Sequence, residues 1–241
     1  MRRLLPFLML IAVAGLLAGC ENPLELDRDT EIAIGRDAAA QIEAKYGVLD
    51  DAAAQRRLDY IGDRAAAASQ EPSLPWSFKI LDSKEINALA LPGGFIYVTK
   101  GMMDYVENDD QLAGVVAHEV IHVDHHHAKA GIEKAMTQSL LVELVTRKSS
   151  RTIKQASAIA LELELREGYR DKEYESDQFG TLYAFRSGYR ADGLRQLLFR
   201  LHEDKGDPAR ITWILQSHPP LSKRVQRLDE YVAELTGRGA G

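Results

Sequence analysis

From residue 30 onward, apolar residues recur mostly at the three- and four-residue intervals of a helix with one buried stripe. Residues 30–46 and 50–69 read as amphipathic helices. Thr30, with Asp29 before it, is placed to cap the first, and Gly47 to stop it. Glu71-Pro72-Ser73-Leu74-Pro75 breaks the helical pattern, and Trp76–Leu81 then alternates with β-rich residues as a strand does. Asn87–Leu91 runs into a turn at Pro92-Gly93-Gly94, and Phe95–Thr99 is a second strand. Gly101–Val106 starts a short helix, and Asp109 or Asp110 caps the next. Residues 128–168 are strongly patterned as helix, with Leu140, Leu141, Leu144 and Val145 on one stripe and a polar, basic break over Thr146–Lys154. Further helices are expected over 171–186, 192–202 and, capped by Ser222, 222–235. The pattern predicts an α+β, mostly helical chain with a small sheet.

The helix that opens at Asp109 or Asp110 differs from the others. Leu112 to Ala117 are all small or apolar, so this helix is apolar on nearly all sides and belongs in the core. It then carries His118-Glu119-Val120-Ile121-His122, an H-E-x-x-H pattern. On a helix, residues four apart share a face, so two imidazoles on adjacent turns can grip one zinc ion while Glu119 reaches a water at the metal. Polar side chains on a buried helix need partners, and a metal supplies them.

The extreme N-terminus is of another kind. Arg2 and Arg3 precede the apolar run Leu4–Leu17, as in a targeting leader, and about 14 residues is short for a bilayer span. Leu17-Ala18-Gly19-Cys20 follows and holds the single cysteine of the chain, which therefore has no internal disulfide partner. The string resembles the lipobox of bacterial lipoproteins. That likeness implies removal of residues 1–19, lipid on Cys20, a tether over 20–29 and a folded domain over 30–241. Glu21, where Asp would favour inner-membrane retention, leans toward the outer membrane. Acyl chains would hold the protein there through buried methylenes.

An apolar fraction of 45% with 27% charged residues is that of a globular protein, and 241 residues suffice for one domain with a real core. Loss of Arg2 and Arg3 with the leader takes the net charge from −6 to −8, which argues against nucleic acid as a partner.

A catalytic zinc takes three protein ligands and keeps one position open. A third histidine six residues after the second would fall at Ala128, with the accompanying glycine at His125, so the metzincin arrangement is excluded. A downstream glutamate is the other common solution, from Glu162, Glu164, Glu167, Glu173 or Glu175. Glu173 is preferred, because Asp177 stands four residues on. The first can bind zinc while the second accepts a hydrogen bond from a ligand histidine and fixes its tautomer. His125, His126 and His127 read as a solvated helix end that points in three directions, and His202 as unremarkable.

Together, the HEVIH helix, Glu173-x-x-Ser176-Asp177 with Gly180, and Asn87–Val98 resemble the HtpX/BepA-type zinc metallopeptidases, a gluzincin family that also holds the CAAX prenyl proteases and the Oma-type proteases. The likeness runs over roughly residues 30–235. It implies a zincin-like fold with a small sheet beside the active-site helix, one Zn2+ per chain and Glu173 as third ligand. Ser176 stands where the family has alanine. Ser217-His218-Pro219-Pro220 with Arg224 resembles a further family element. It places His218 near the metal, as a transition-state contact or as occupant of the fourth position, and makes Arg224 a candidate for orienting it.

These expectations describe a lipid-anchored, periplasm-facing zinc metalloendopeptidase that cleaves envelope proteins. Glu119 would take a proton from water and return one to the leaving amine, with His218 assisting at the oxyanion. Phe95–Thr99 would offer its edge to an extended substrate. The 128–168 segment would either cover the cleft or form a plain helical hairpin completing the core. The alternative is an outer-membrane assembly factor or chaperone, partnered with the assembly machinery, whose zinc site is latent under His218 and residues 128–168.

Overall fold

A computed structural model describes residues 25–138, 150–164, 170–204 and 221–237. Cys20, His218 and the stripe Leu140–Val145 lie outside them. The described elements are, in chain order, α1 (Arg28–Tyr46), α2 (Ala52–Ala67), β1 (Ser77–Leu81), β2 (Ala88–Leu91), β3 (Phe95–Thr99), α3 (Lys100–Tyr105), α4 (Asp109–Asp124), α5 (His127–Gln138), α6 (Ser150–Glu164), α7 (Arg170–Arg186), α8 (Gly193–Glu203) and α9 (Leu221–Leu235). The fold is α+β and mostly helical, as the apolar periodicity predicts. No helix among the described residues is long and apolar enough to cross a membrane.

The helix ends differ in detail from the expected caps. α1 begins earlier than the pattern suggested: its N-cap is Asp27, whose carboxylate accepts from the Thr30 amide at 2.9 Å, so Thr30 lies inside the helix. Gly47, at φ 74°, ends it as expected. α4 is capped by Asn108 rather than Asp109 or Asp110, with the Asn108 side-chain carbonyl accepting from the Gln111 amide at 3.0 Å. The two aspartates occupy the first turn instead, where their charge suits the helix dipole. Ser222 is the second residue of α9, inside the helix it was expected to cap.

The sheet has strand order β1-β3-β2. β1 runs parallel to β3 with Ser77 opposite Phe95, and β2 runs antiparallel to it with Leu91 opposite Phe95. Gly93 and Gly94, at φ 76° and 102°, make the turn between β2 and β3 in the backbone region that glycine enters without strain. β3 is therefore the middle strand, paired on both sides, and has no edge to offer a substrate. The expectation of an accepting edge at Phe95–Thr99 is wrong for that reason. β2 is the strand packed on α4, and its outer edge carries no further strand among the described residues.

α4 runs through the centre, in contact with α2, α7, α8 and β2. Thirteen of its residues from Gln111 to Asp124 are buried, all but His122. Its apolar side chains join those of α2, α8, α9 and the sheet in the main core. α7 approaches unusually closely, because Gly180 has no side chain: a Cβ there would lie 2.8 Å from the His118 Cα and nitrogen. Gly114 does the same for α8, where a Cβ would meet that of Leu194 at 2.7 Å. α5 and α6 pack on each other, and α6 packs on α1, around a small core of their own built from Ile34, Ile132, Met136, Ala156 and Ala160.

α4 stops at Asp124, which is 5% exposed. Its carboxylate accepts from the amides of Gln70 and Glu71 at 3.0 and 3.1 Å and from the Tyr183 hydroxyl at 2.8 Å. The chain then turns through His126, a non-glycine residue at φ 52°, before α5 begins at His127. The expected continuous helix past the motif is thus broken, and the three histidines do not share one axis.

Candidate metal centre

α4 and α7 supply the site between them. His118 and His122 project from successive turns of α4, and Glu173 from the first turn of α7, which Gly180 lets settle against α4. The two Nε2 atoms are 3.1 Å apart. His122 Nε2 lies 3.4 Å from Glu173 Oε1, and His118 Nε2 lies 3.6 Å from Oε2. A tetrahedral ion about 2.0–2.2 Å from each donor would hold neighbouring donors about 3.3–3.5 Å apart, so the three converge as a metal set of two histidines and one glutamate requires. Two imidazole nitrogens and a carboxylate so close also have the mixed donor chemistry that zinc favours.

Each histidine is held from behind. His118 Nδ1 faces Asp177 Oδ1 at 3.1 Å, one helical turn beyond Glu173. Donation from Nδ1 fixes the tautomer that leaves the Nε2 lone pair for a metal. Burial lowers the pKa of His118, more than offsetting Asp177 and Glu173, so the ring is neutral at physiological pH. Asp177 is itself gripped by Arg224 of α9, whose Nε and Nη2 donate to Oδ2 and Oδ1 at 2.8 and 2.7 Å. The same guanidinium reaches Glu173 Oε2 at 3.1 Å through Nη1. Burial by itself would raise the Asp177 carboxyl. Arg224 and the hydrogen bond from His118 outweigh it and hold the group below the usual carboxylate range. Arg224, only 2% exposed, therefore braces one carboxylate at the centre and one behind it. That is its role among the described residues; the expected one beside His218 falls on a residue outside them.

His122 has a partner that the helical pattern hid. Its Nδ1 lies 3.1 Å from Nδ1 of His127, a residue only 8% exposed. Burial, reinforced by His122 and Lys172, pushes the His127 pKa down to about 2, so its neutral ring can accept the His122 proton. The reading of His125–His127 as a solvated helix end fails here. Five residues after His122 on one continuous helix, His127 would stand about 140° round the axis. Only the break at His126 brings it back. The one visible signal was the run of three histidines directly after the motif. His202, at the end of α8, takes part in none of these contacts.

Glu119 is 2% exposed and borders a small cavity lined by Ala88, Met102, Val115, Leu197 and Leu198, with His118 and Arg224 at its polar end. A carboxylate beside two metal-binding histidines, in a largely apolar enclosure, is equipped to accept a proton from water. Ser176, between Glu173 and Asp177 in sequence on α7, is fully buried.

Comparison with known proteins agrees with this geometry. The chain is 27% identical over 252 residues to metalloprotease YcaL of Escherichia coli, covering 93% of this chain and 97% of that protein. It is 26% identical over 199 residues to the E. coli beta-barrel assembly-enhancing protease, covering 78% of this chain and 41% of the relative. Against mitochondrial metalloendopeptidase OMA1 of Schizosaccharomyces pombe it is 25% identical over 217 residues, covering 88% and 64%. It spans less than half the length of the beta-barrel assembly-enhancing proteases that it matches. The model of peptidase family M48 matches residues 52–232, an interval that contains α4, α7 and α9 as far as Val232, and with them every residue of the buried centre. The chain belongs to peptidase family M48.

Proposed function

We propose that the protein is a zinc metalloendopeptidase of the bacterial envelope, with His118, His122 and Glu173 as metal ligands and Glu119 as general base and acid. The observation that carries this reading is the convergence of two Nε2 atoms and a carboxylate within 3.1–3.6 Å, each imidazole held from behind by its own partner. When bound, the ion would supply Lewis acidity, making water more acidic and polarising the scissile carbonyl. The chain's own residues do the rest. Asp177 and His127 hold the two imidazoles in the metal-binding tautomer, and Arg224 fixes Asp177 and Glu173. Glu119 takes a proton from the attacking water and passes one to the leaving amine. An extended peptide would pair its backbone with the outer edge of β2, beside α4, once the packing that buries Ala88–Leu91 opens. His218 is assigned to the fourth position or the oxyanion.

Anchoring through lipid on Cys20, a periplasm-facing position and preference for the outer membrane rest on the leader Arg2–Gly19 and the string Leu17–Cys20. Association with outer-membrane assembly machinery has the names of the beta-barrel assembly-enhancing relatives in its favour. Replacing Glu119 by Gln should leave one tight zinc per chain and cut casein hydrolysis by about 100-fold or more. Undiminished hydrolysis by the metal-replete variant would sink the assignment.

A second reading has one observation on its side. Glu119 and His118 are only 2% and 3% exposed, so the catalytic carboxylate and one ligand are covered. A latent enzyme that acts mainly as an assembly factor fits that burial. In that case Glu119→Gln would still complement an envelope assembly defect, and His218→Ala would raise casein cleavage above wild type.

A further inference from the structure

A second group of the same composition stands beside the first. His125, His127 and Glu175 place one ligand atom each within 4.8 Å of one another. His125 Nδ1 lies 2.8 Å from Glu175 Oε1, and His127 Nε2 lies 3.4 Å from Oε2. The break at His126 makes this possible, since it sets His125 and His127 on either side of a turn with their rings edge to face, 5.9 Å between centres. His127 Nε2 is buried yet makes no hydrogen bond among the described residues, although it points toward the carboxylate. A buried ring nitrogen left in that condition costs free energy that an ion would recover. Glu175, 42% exposed, opens the group to solvent.

We propose that His125, His127 and Glu175 form a second site for a zinc-class divalent cation, and that an ion there opposes the one held by His118, His122 and Glu173. The site itself stands on its own geometry, and the antagonism rests on the catalytic reading above. It follows from the proton count of imidazole. A neutral ring carries one N–H. With His122 Nε2 on the first ion, its proton sits on Nδ1 and needs the lone pair of His127 Nδ1, 3.1 Å away. An ion on His127 Nε2 moves the His127 proton to Nδ1, so two N–H groups then face each other across that distance. One ring must turn, and His122 loses the partner that orients it. Loss of such a partner costs about 10–100-fold in metal affinity. Coupling of this kind is reciprocal, so the first ion weakens the second by the same factor.

The test is a Zn2+ titration of the purified full chain, with bound metal counted by elemental analysis and casein cleavage followed in parallel. Wild type should take up two ions, the second more weakly, and cleavage should fall as the second site fills. His125→Ala and Glu175→Gln should each take up one ion and keep their cleavage rate at excess Zn2+. Glu175 is partly exposed, so its variant tests the site even if His125→Ala folds poorly. A single ion in wild type, or two ions in both variants, would overturn the second site. Inhibition by excess Zn2+ that persists in His125→Ala would overturn the antagonism. Glu173→Gln separates the two readings: it should lose the tight ion and keep the weaker one. Retention of the tight ion there would count against the catalytic assignment alone.

Discussion

Two clusters of two histidines and one glutamate lie side by side, and they differ in what surrounds them. His118, His122 and Glu173 sit on uninterrupted helices, between 4% and 14% exposed, with Asp177, Arg224 and His127 holding them from behind. His125, His127 and Glu175 straddle a helix break and end in a carboxylate 42% exposed, with Gln70 3.4 Å from the outer nitrogen of His125. Donor identity is the same, so it does not distinguish the two clusters. The difference lies in the supports. A buried, charge-braced set is ready for an ion and for chemistry, while the open set can exchange its ion with solvent. His127 is a member of the second cluster and the support of His122 in the first, and that shared ring is why the two are expected to compete.

The largest effect should come from removing the brace. Arg224→Met leaves Asp177 and Glu173 buried without their cation, and breaking a buried ion pair from one side costs about 3–5 kcal/mol. Urea unfolding of the metal-free chain should show a loss of this size, with the open cluster's Zn2+ uptake preserved in the folded fraction. A loss within the range of a surface substitution would mean that Arg224 does not carry this load.

Next comes the close approach of α7. Gly180→Val would drive a side chain into the His118 backbone, costing about 1–3 kcal/mol by overpacking and moving Glu173 away from the histidines. The tight ion should weaken with the fold, because Glu173 and Gly180 share one rigid helix. Unchanged zinc affinity in a destabilised Gly180→Val chain would show that the two helices position Glu173 by some other contact.

Smaller, and specific to one cluster, is Asp177→Asn. It keeps the shape but surrenders the charge that fixes His118, so the tight ion should weaken by about 10–100-fold while the weaker ion is unaffected. Equal weakening of both ions, measured by competition with a chromophoric chelator, would dissolve the distinction between the clusters.

The part of this site that follows a regular helix was legible in the sequence. His118 and His122 four apart, and Glu173 and Asp177 four apart, share faces by helical geometry alone, and an apolar approach marks α4 as central. His127 was not legible, because its place depends on a left-handed residue at His126. Few non-glycine residues adopt that region, and here the turn follows directly on Asp124, which the amides of Gln70 and Glu71 pin. The part of Arg224 was half visible: its position resembled a known element, yet nothing local says that a residue 47 positions beyond Asp177 will close on it. Sheet order was hidden for the same reason. Alternation identifies β1 and β3 as strands, but β2, apolar on both faces, became the edge strand beside α4 through pairing that no local pattern fixes.

The central claim is that Glu173 completes a tight metal centre with His118 and His122. Its most direct test is the zinc content of folded Glu173→Gln built on His125→Ala, where the second site cannot stand in, after one equivalent of Zn2+ and passage over a chelating resin, beside wild type and His125→Ala treated alike. Wild type and His125→Ala should each retain one ion per chain, and the double variant essentially none. A folded double variant that keeps its full equivalent would contradict the claim.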